Sequence, residues 1–91
     1  MHAVVGKVSI QSGHEDESVE YLKTNVLPMV KQAPGIIAGY WVAAKDGKGL
    51  GITLYESEEA ARGAAEMAQK APMPDYVTFD SVDVLEVIAQ V

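Results

Sequence analysis

The strongest constraint in this chain is that its candidate strands are apolar on both faces, while only two helices are available to cover them. An antiparallel sheet with one wet face alternates apolar and polar residues. The last candidate strand instead carries Val82, Val84 and Ile88 on one parity and Phe79, Leu85 and Val87 on the other. The segment from Ile36 behaves alike, with Ile36, Ala38, Tyr40 and Val42 set against Ile37, Trp41 and Ala43. Two helices cover one face. The other then exposes on the order of ten apolar side chains, more than the roughly 300–600 Å² patch of a typical monomer. A second copy of the same sheet, packed face to face across a twofold axis, removes that excess. The expected partner is therefore the chain itself, as a homodimer.

The order of elements follows from hydrophobic periodicity. Ala3 to Ile10 is short and β-branched, and Gln11-Ser12-Gly13 closes it, so it reads as a strand. Glu15, Asp16 and Glu17 crowd the next segment where a helix dipole favours negative charge. Val19, Leu22, Val26 and Val30 recur at spacings of three and four, which predicts an amphipathic helix from about residue 15 to about residue 33. Pro28 lies inside it and removes one backbone donor, so a kink or break is expected between Thr24 and Pro28. Pro34-Gly35 stops the helix. Strands over Ile36 to Ala44 and Gly49 to Tyr55 flank Lys45-Asp46-Gly47-Lys48, and Asp-Gly is a strong hairpin signal. Ser57 caps a second, alanine-rich helix that runs to about residue 70, with Glu58 and Glu59 in its first turn. Ala71-Pro72-Met73-Pro74 breaks it, and a last strand runs from Val77 to Ile88. The order βαββαβ predicts an α+β, ferredoxin-like domain over residues 1–91, with a four-stranded antiparallel sheet and both helices on one face.

A two-residue Asp46-Gly47 loop places Trp41 opposite Ile52 and Tyr40 opposite Thr53. One face then carries Ile37, Trp41, Ile52 and Leu54 and suits dimer packing. Its reverse carries Tyr40, Thr53 and Tyr55 and suits a cavity beneath the helices. A one-residue difference in the loop reverses this assignment.

Composition excludes several function classes. The 91 residues hold no cysteine, so disulfides, thiolate metal sites and thiol nucleophiles are absent. Thirteen acids against seven bases give a net charge of −6, which opposes nucleic acid and anionic membrane surfaces. No apolar run approaches the roughly 20 residues that cross a bilayer. The amino terminus lacks a signal-peptide layout, so a cytoplasmic location is expected.

Few residues carry obvious chemistry. The glycine-rich stretch from Lys45 to Gly51 feeds a strand, whereas phosphate-cradling loops feed a helix amino terminus. His2 and His14 are the only histidines and match no metal spacing. His14 is either a base at the mouth of a cavity or a solvated residue near a helix start. Trp41 and the tyrosines at 21, 40, 55 and 76 either stack on a flat ligand or pack in the ordinary way. Met29 and Met67 read as core fillers. Asp80 and Asp83 lie on opposite faces of one strand unless a bulge intervenes. No nucleophile–base arrangement is visible, and no catalytic residue is assigned.

The βαββαβ order, the Ala33-Pro34-Gly35 stop and the run Tyr55-Glu56-Ser57-Glu58-Glu59-Ala60 resemble the antibiotic biosynthesis monooxygenase family. The resemblance covers nearly the whole chain and implies a dimeric α/β barrel. Some members of that family oxygenate polycyclic phenols or anthrones without metal or flavin, and others bind and degrade haem. The haem degraders use an asparagine on the first strand, a tryptophan near the second helix and a helical histidine. This chain has Gly6 at the first of these positions, Tyr55 before Glu56, and no histidine in the second helix; its only asparagine is Asn25. The resemblance thus implies a cofactor-independent monooxygenase, with neither cofactor nor metal, acting on an aromatic or polyketide-type substrate. Tyr21, Tyr40, Thr53, Tyr55 and His14 are the candidate pocket residues. The alternatives are a noncatalytic module for a small apolar ligand and a structural dimer whose cavity is filled by its own side chains.

Overall fold

The computed structural model describes residues 1–91. Strand β1 (His2–Ile10) pairs on both sides, with β3 (Lys48–Tyr55) and with β4 (Val77–Glu86). Strand β2 (Ile36–Ala43) joins the free edge of β3, giving an antiparallel sheet in the order β2-β3-β1-β4. The ferredoxin-like α+β fold expected from the element order is the one observed. Strand β4 stops at Glu86, so Val87 and Ile88 fall outside it.

The first helical segment begins as α1 (Glu15–Tyr21), widens into a π-helical turn over Leu22–Val26 and ends as α2 (Leu27–Lys31). The expected break at Pro28 is therefore a widened turn. The Leu27 amide donates to the Leu22 carbonyl five residues back. Asn25 Nδ2 donates to the Tyr21 carbonyl at 3.3 Å. Pro28 then sits in the first turn of α2, where an N–H has no intrahelical partner to lose. The second helical segment is α3 (Glu58–Lys70), opened by Ser57, whose Oγ accepts from the Ala60 amide at 3.1 Å.

Alanines let α3 approach the sheet closely. Ala61 and Ala65 are buried against Val4 and Tyr55, and this cluster is the core. No residue of α1 or α2 is buried, so the first helical segment stands further off. Space opens between it and the sheet.

The β2–β3 hairpin differs from expectation by one residue. The Ala44 amide donates to the Lys48 carbonyl at 2.8 Å, and the Lys48 amide donates to Asp46 Oδ1 at 3.1 Å. The loop is therefore Lys45-Asp46-Gly47, and Gly47 takes the left-handed conformation that closes such three-residue loops, with φ +82°. Tyr40 then lies opposite Ile52, and Trp41 lies opposite Gly51. Because side chains alternate with period two, this slip exchanges the faces of Tyr40 and Trp41. Trp41 faces the helices; Tyr40 faces away and is 61% exposed. Ile52 and Leu54 do lie on the outer face by alternation from Thr53, and Ile37 sits in a bulge between Ile36 and Ala38, half exposed.

A second bulge lies in β4. Lys7 pairs with Ser81 and Val8 with Phe79, so Asp80 is the inserted residue. The insertion carries Phe79 to the same face as Val82 and Val84, against the simple parity reading. It also turns Asp80 to the outer face, where Oδ2 accepts from Ser9 Oγ at 2.6 Å and lies 3.8 Å from Lys48 Nζ. No helix is long and apolar enough to cross a membrane.

Candidate functional site

The space between the helices and the sheet is a cavity of about 270 Å³. Of the 28 residues that line it, 23 are apolar. None carries a charge. Even-numbered residues of β1 and odd-numbered residues of β3 form its floor, since alternation sends these to the helix side. Leu22, Val26, Met29 and Val30 cover it from the first helical segment, and Ala64, Met67 and Ala68 close it from α3.

Among the candidate pocket residues, Tyr21, Thr53 and Tyr55 line this cavity. Thr53 and Tyr55 are neighbours along one face of β3 and are buried, at 8% and 2% exposure. Tyr21 projects from the end of α1 and donates its hydroxyl hydrogen to the Pro72 carbonyl at 2.9 Å. Tyr40 is on the opposite side of the sheet, for the register reason given above. His14 is not part of the lining. Its ring stacks on Tyr76, with centroids 4.8 Å apart and planes 6° from parallel. Nδ1 of His14 lies 3.0 Å from Oε1 of Glu17. Burial pushes the Tyr76 hydroxyl above its ordinary pKa, and the Glu17 carboxylate and Tyr21 add to the shift. These contacts hold the start of α1 against the connection from Pro72 to Tyr76. That connection supplies Met73 to the cavity wall.

Two aromatic lining residues are missing from the candidate pocket set: Trp41, which a two-residue hairpin loop puts on the dimer face, and Phe79. Trp41 was hidden by the hairpin register and Phe79 by the β4 bulge. A usable signal was present. Gly49 and Gly51 fall two apart on β3 and so share one face, where their missing side chains leave room for a large neighbour.

The lining offers hydroxyls from Ser18, Tyr21, Thr53 and Tyr55, and thioethers from Met29, Met67 and Met73. No group of three or more His, Cys, Asp or Glu residues is arranged to hold a metal ion. His2 is not part of the lining, although it pairs with Tyr55 across β1 and β3, and its buried Nδ1 has no hydrogen-bond partner. Chemically, the site can desolvate an apolar molecule, stack on it and orient a polar edge.

No protein-family sequence profile matches the chain, and no protein of curated function matches it in sequence. Solved structures do match in fold. The haem degrader MhuD from Mycobacterium tuberculosis, with two haems bound in its active site, superposes with a TM-score of 0.75 at 20% identity, over 100% of this chain and 99% of that one. A point variant of MhuD with two manganese protoporphyrin IX molecules bound per active site gives 0.70 at 18% identity, over 100% and 98%. At such identities the likeness establishes a shared fold, the one expected from the resemblance to antibiotic biosynthesis monooxygenases.

Proposed function

We propose that this chain is a small monooxygenase-like protein that takes an uncharged aromatic or polyketide-type substrate in the cavity between helices and sheet, and oxygenates it without a cofactor. The observation that carries this reading is the lining, 23 apolar residues of 28 with a few hydroxyls and no charge. Burying an apolar molecule there gains roughly 25 cal/mol for each Å² removed from water. A charged ligand would lose its hydration with no counter-charge in return.

The porphyrins held by the fold neighbours set a fit test. Their iron needs an axial donor and their propionates need cationic or strongly donating partners. The lining has no histidine, cysteine, lysine or arginine. Tyr21, Tyr55 and the methionines are available as axial donors, but no cationic side chain lines the cavity to pair with two propionates, and on that ground the lining does not match a haem. No step is therefore derived through haem.

For an anthrone-type substrate the reaction balances without another reductant. Dioxygen removes both hydrogens of the ring methylene, one oxygen atom becomes the new carbonyl, and the other leaves as water. Both electron pairs come from the two broken C–H bonds. The lining hydroxyls orient the oxygenated edge of the substrate.

A second reading, a noncatalytic binder, is favoured by one specific feature: no carboxylate, imidazole or ammonium lines the cavity. The open cavity speaks against a purely structural dimer packed with its own side chains.

We also propose that the outer sheet face is covered by a second copy. Tyr40, Val42, Leu85 and Ile37 are each between 49% and 61% exposed. A twofold face-to-face packing buries them against themselves.

Titration with an anthrone, followed by Trp41 fluorescence and by an oxygen electrode, tests the reading. Saturable quenching with oxygen uptake matching quinone formation is expected. Quenching without uptake supports the binder instead, and no quenching at all overturns both.

A further inference from the structure

The centre of the cavity floor is made of two glycines. Gly6 of β1 and Gly51 of β3 are directly paired on adjacent inner strands. Glycine in a strand interior loses packing and costs roughly 0.5–1 kcal/mol against alanine. Two of them side by side in the middle of a small sheet call for a cause.

The cause is the approach of two aromatic rings. A Cβ added at Gly51 would lie 2.9 Å from Trp41 Nε1 and 3.0 Å from Cδ1. At Gly39, two residues before Trp41, it would lie 2.9 Å from Cη2 and 3.0 Å from Cζ3. The indole is therefore laid along the sheet, its pyrrole end over Gly51 and its benzene end over Gly39. A Cβ at Gly6 would lie 3.2 Å from Phe79 Cε1. Trp41 reaches inward from the β2 edge and Phe79 from the β4 edge, and they converge on the Gly6–Gly51 pair. With side chains at these glycines, both rings would be lifted into the cavity and occupy it themselves.

We propose that Trp41, seated on Gly39 and Gly51, is the specificity-determining residue of the cavity and, with Phe79 on Gly6, selects planar fused-ring aromatic ligands over puckered ones of the same size. This rests on the reading of the cavity as a site for an uncharged apolar molecule. The low-lying rings leave open space above them, and a flat molecule meets that floor over its whole area. A puckered ring system touches it at a few atoms and forfeits the remaining dispersion contact. Trp41 is a positioning and recognition residue here, and no bond-making role attaches to it.

The test compares 2-naphthol with 2-decalol, which share a carbon skeleton and a hydroxyl but differ in planarity. Calorimetry on the whole chain gives both dissociation constants. The wild type should favour 2-naphthol by roughly tenfold, the size of one to two aromatic–aromatic contacts. Trp41→Leu should reduce that preference to about twofold, because it weakens 2-naphthol binding more than 2-decalol binding. Gly51→Ala keeps the indole but lifts it from its seat, and should also remove the preference. Each variant is first required to unfold cooperatively. If Trp41→Leu fails this, Gly51→Ala and Phe79→Leu carry the comparison. Equal affinity of the wild type for both probes, or a preference that survives Trp41→Leu and Gly51→Ala, overturns the role of Trp41 while leaving the cavity as an apolar site. Binding of neither probe overturns the cavity reading itself.

Discussion

Replacing Tyr40 by lysine should split the proposed dimer into monomers. In the isolated chain 61% of Tyr40 is open to solvent on the outer sheet face. A tyrosine presents roughly 200 Å², so about 120 Å² remains to be covered by a partner. At roughly 25 cal/mol per Å² this area is worth about 3 kcal/mol. A twofold axis counts it twice, giving about 6 kcal/mol, or roughly four orders of magnitude in the dimer dissociation constant. The lysine adds like-charge repulsion across the axis, in the same direction. Sedimentation equilibrium at micromolar concentration should return twice the chain mass for the wild type and the chain mass for Tyr40→Lys. A Gln69→Lys control on the exposed side of α3 adds the same charge and should leave the mass doubled. Only six of the 91 residues are buried in one copy, so unfolding should be coupled to dissociation. The urea midpoint of the wild type should then rise with protein concentration. A wild type at the chain mass with a concentration-independent midpoint refutes the covered-face reasoning. So does a Tyr40→Lys variant that keeps the doubled mass.

Tyr21→Phe removes the 2.9 Å hydrogen bond to the Pro72 carbonyl and should lower unfolding stability by about 1 kcal/mol, read from urea denaturation. Ser57→Ala removes the cap of α3 and should cost roughly 0.5–2 kcal/mol, while Ser57→Asp should restore most of it because an aspartate can accept the same bond. Glu58 has its pKa lowered by the Arg62 guanidinium, first through the 2.7 Å hydrogen bond and then through its charge. A carboxylate with a depressed folded pKa contributes stability above its unfolded pKa of about 4.5, and loses it as pH falls through the folded value. Glu58→Gln should therefore narrow the stability difference between neutral and strongly acidic solution, with the sign of the change giving the check.

Part of the site was legible because it rests on local pattern. Thr53 and Tyr55 share a parity on a strand bounded by clear turn signals, and Tyr21 lies on a helix with a regular apolar stripe. Two hidden insertions concealed the rest. The hairpin took three loop residues where Asp46-Gly47 suggests two, and that alone exchanged Tyr40 for Trp41 in the cavity. The extra residue at Asp80 then brought Phe79 inward; Asp80 accepts a hydrogen bond from Ser9 on β1 and lies 3.8 Å from Lys48 Nζ on β3.

The sequence by itself determined the order of strands and helices, the Ser57-capped start of α3 and the excess of apolar surface over what two helices can cover. Those properties follow from spacing within single segments. The tertiary structure alone decided which aromatic ring faces the cavity. Strand side chains alternate with period two, so one added residue turns a strand over. Whether a residue is added depends on pairing with neighbours far away in the chain.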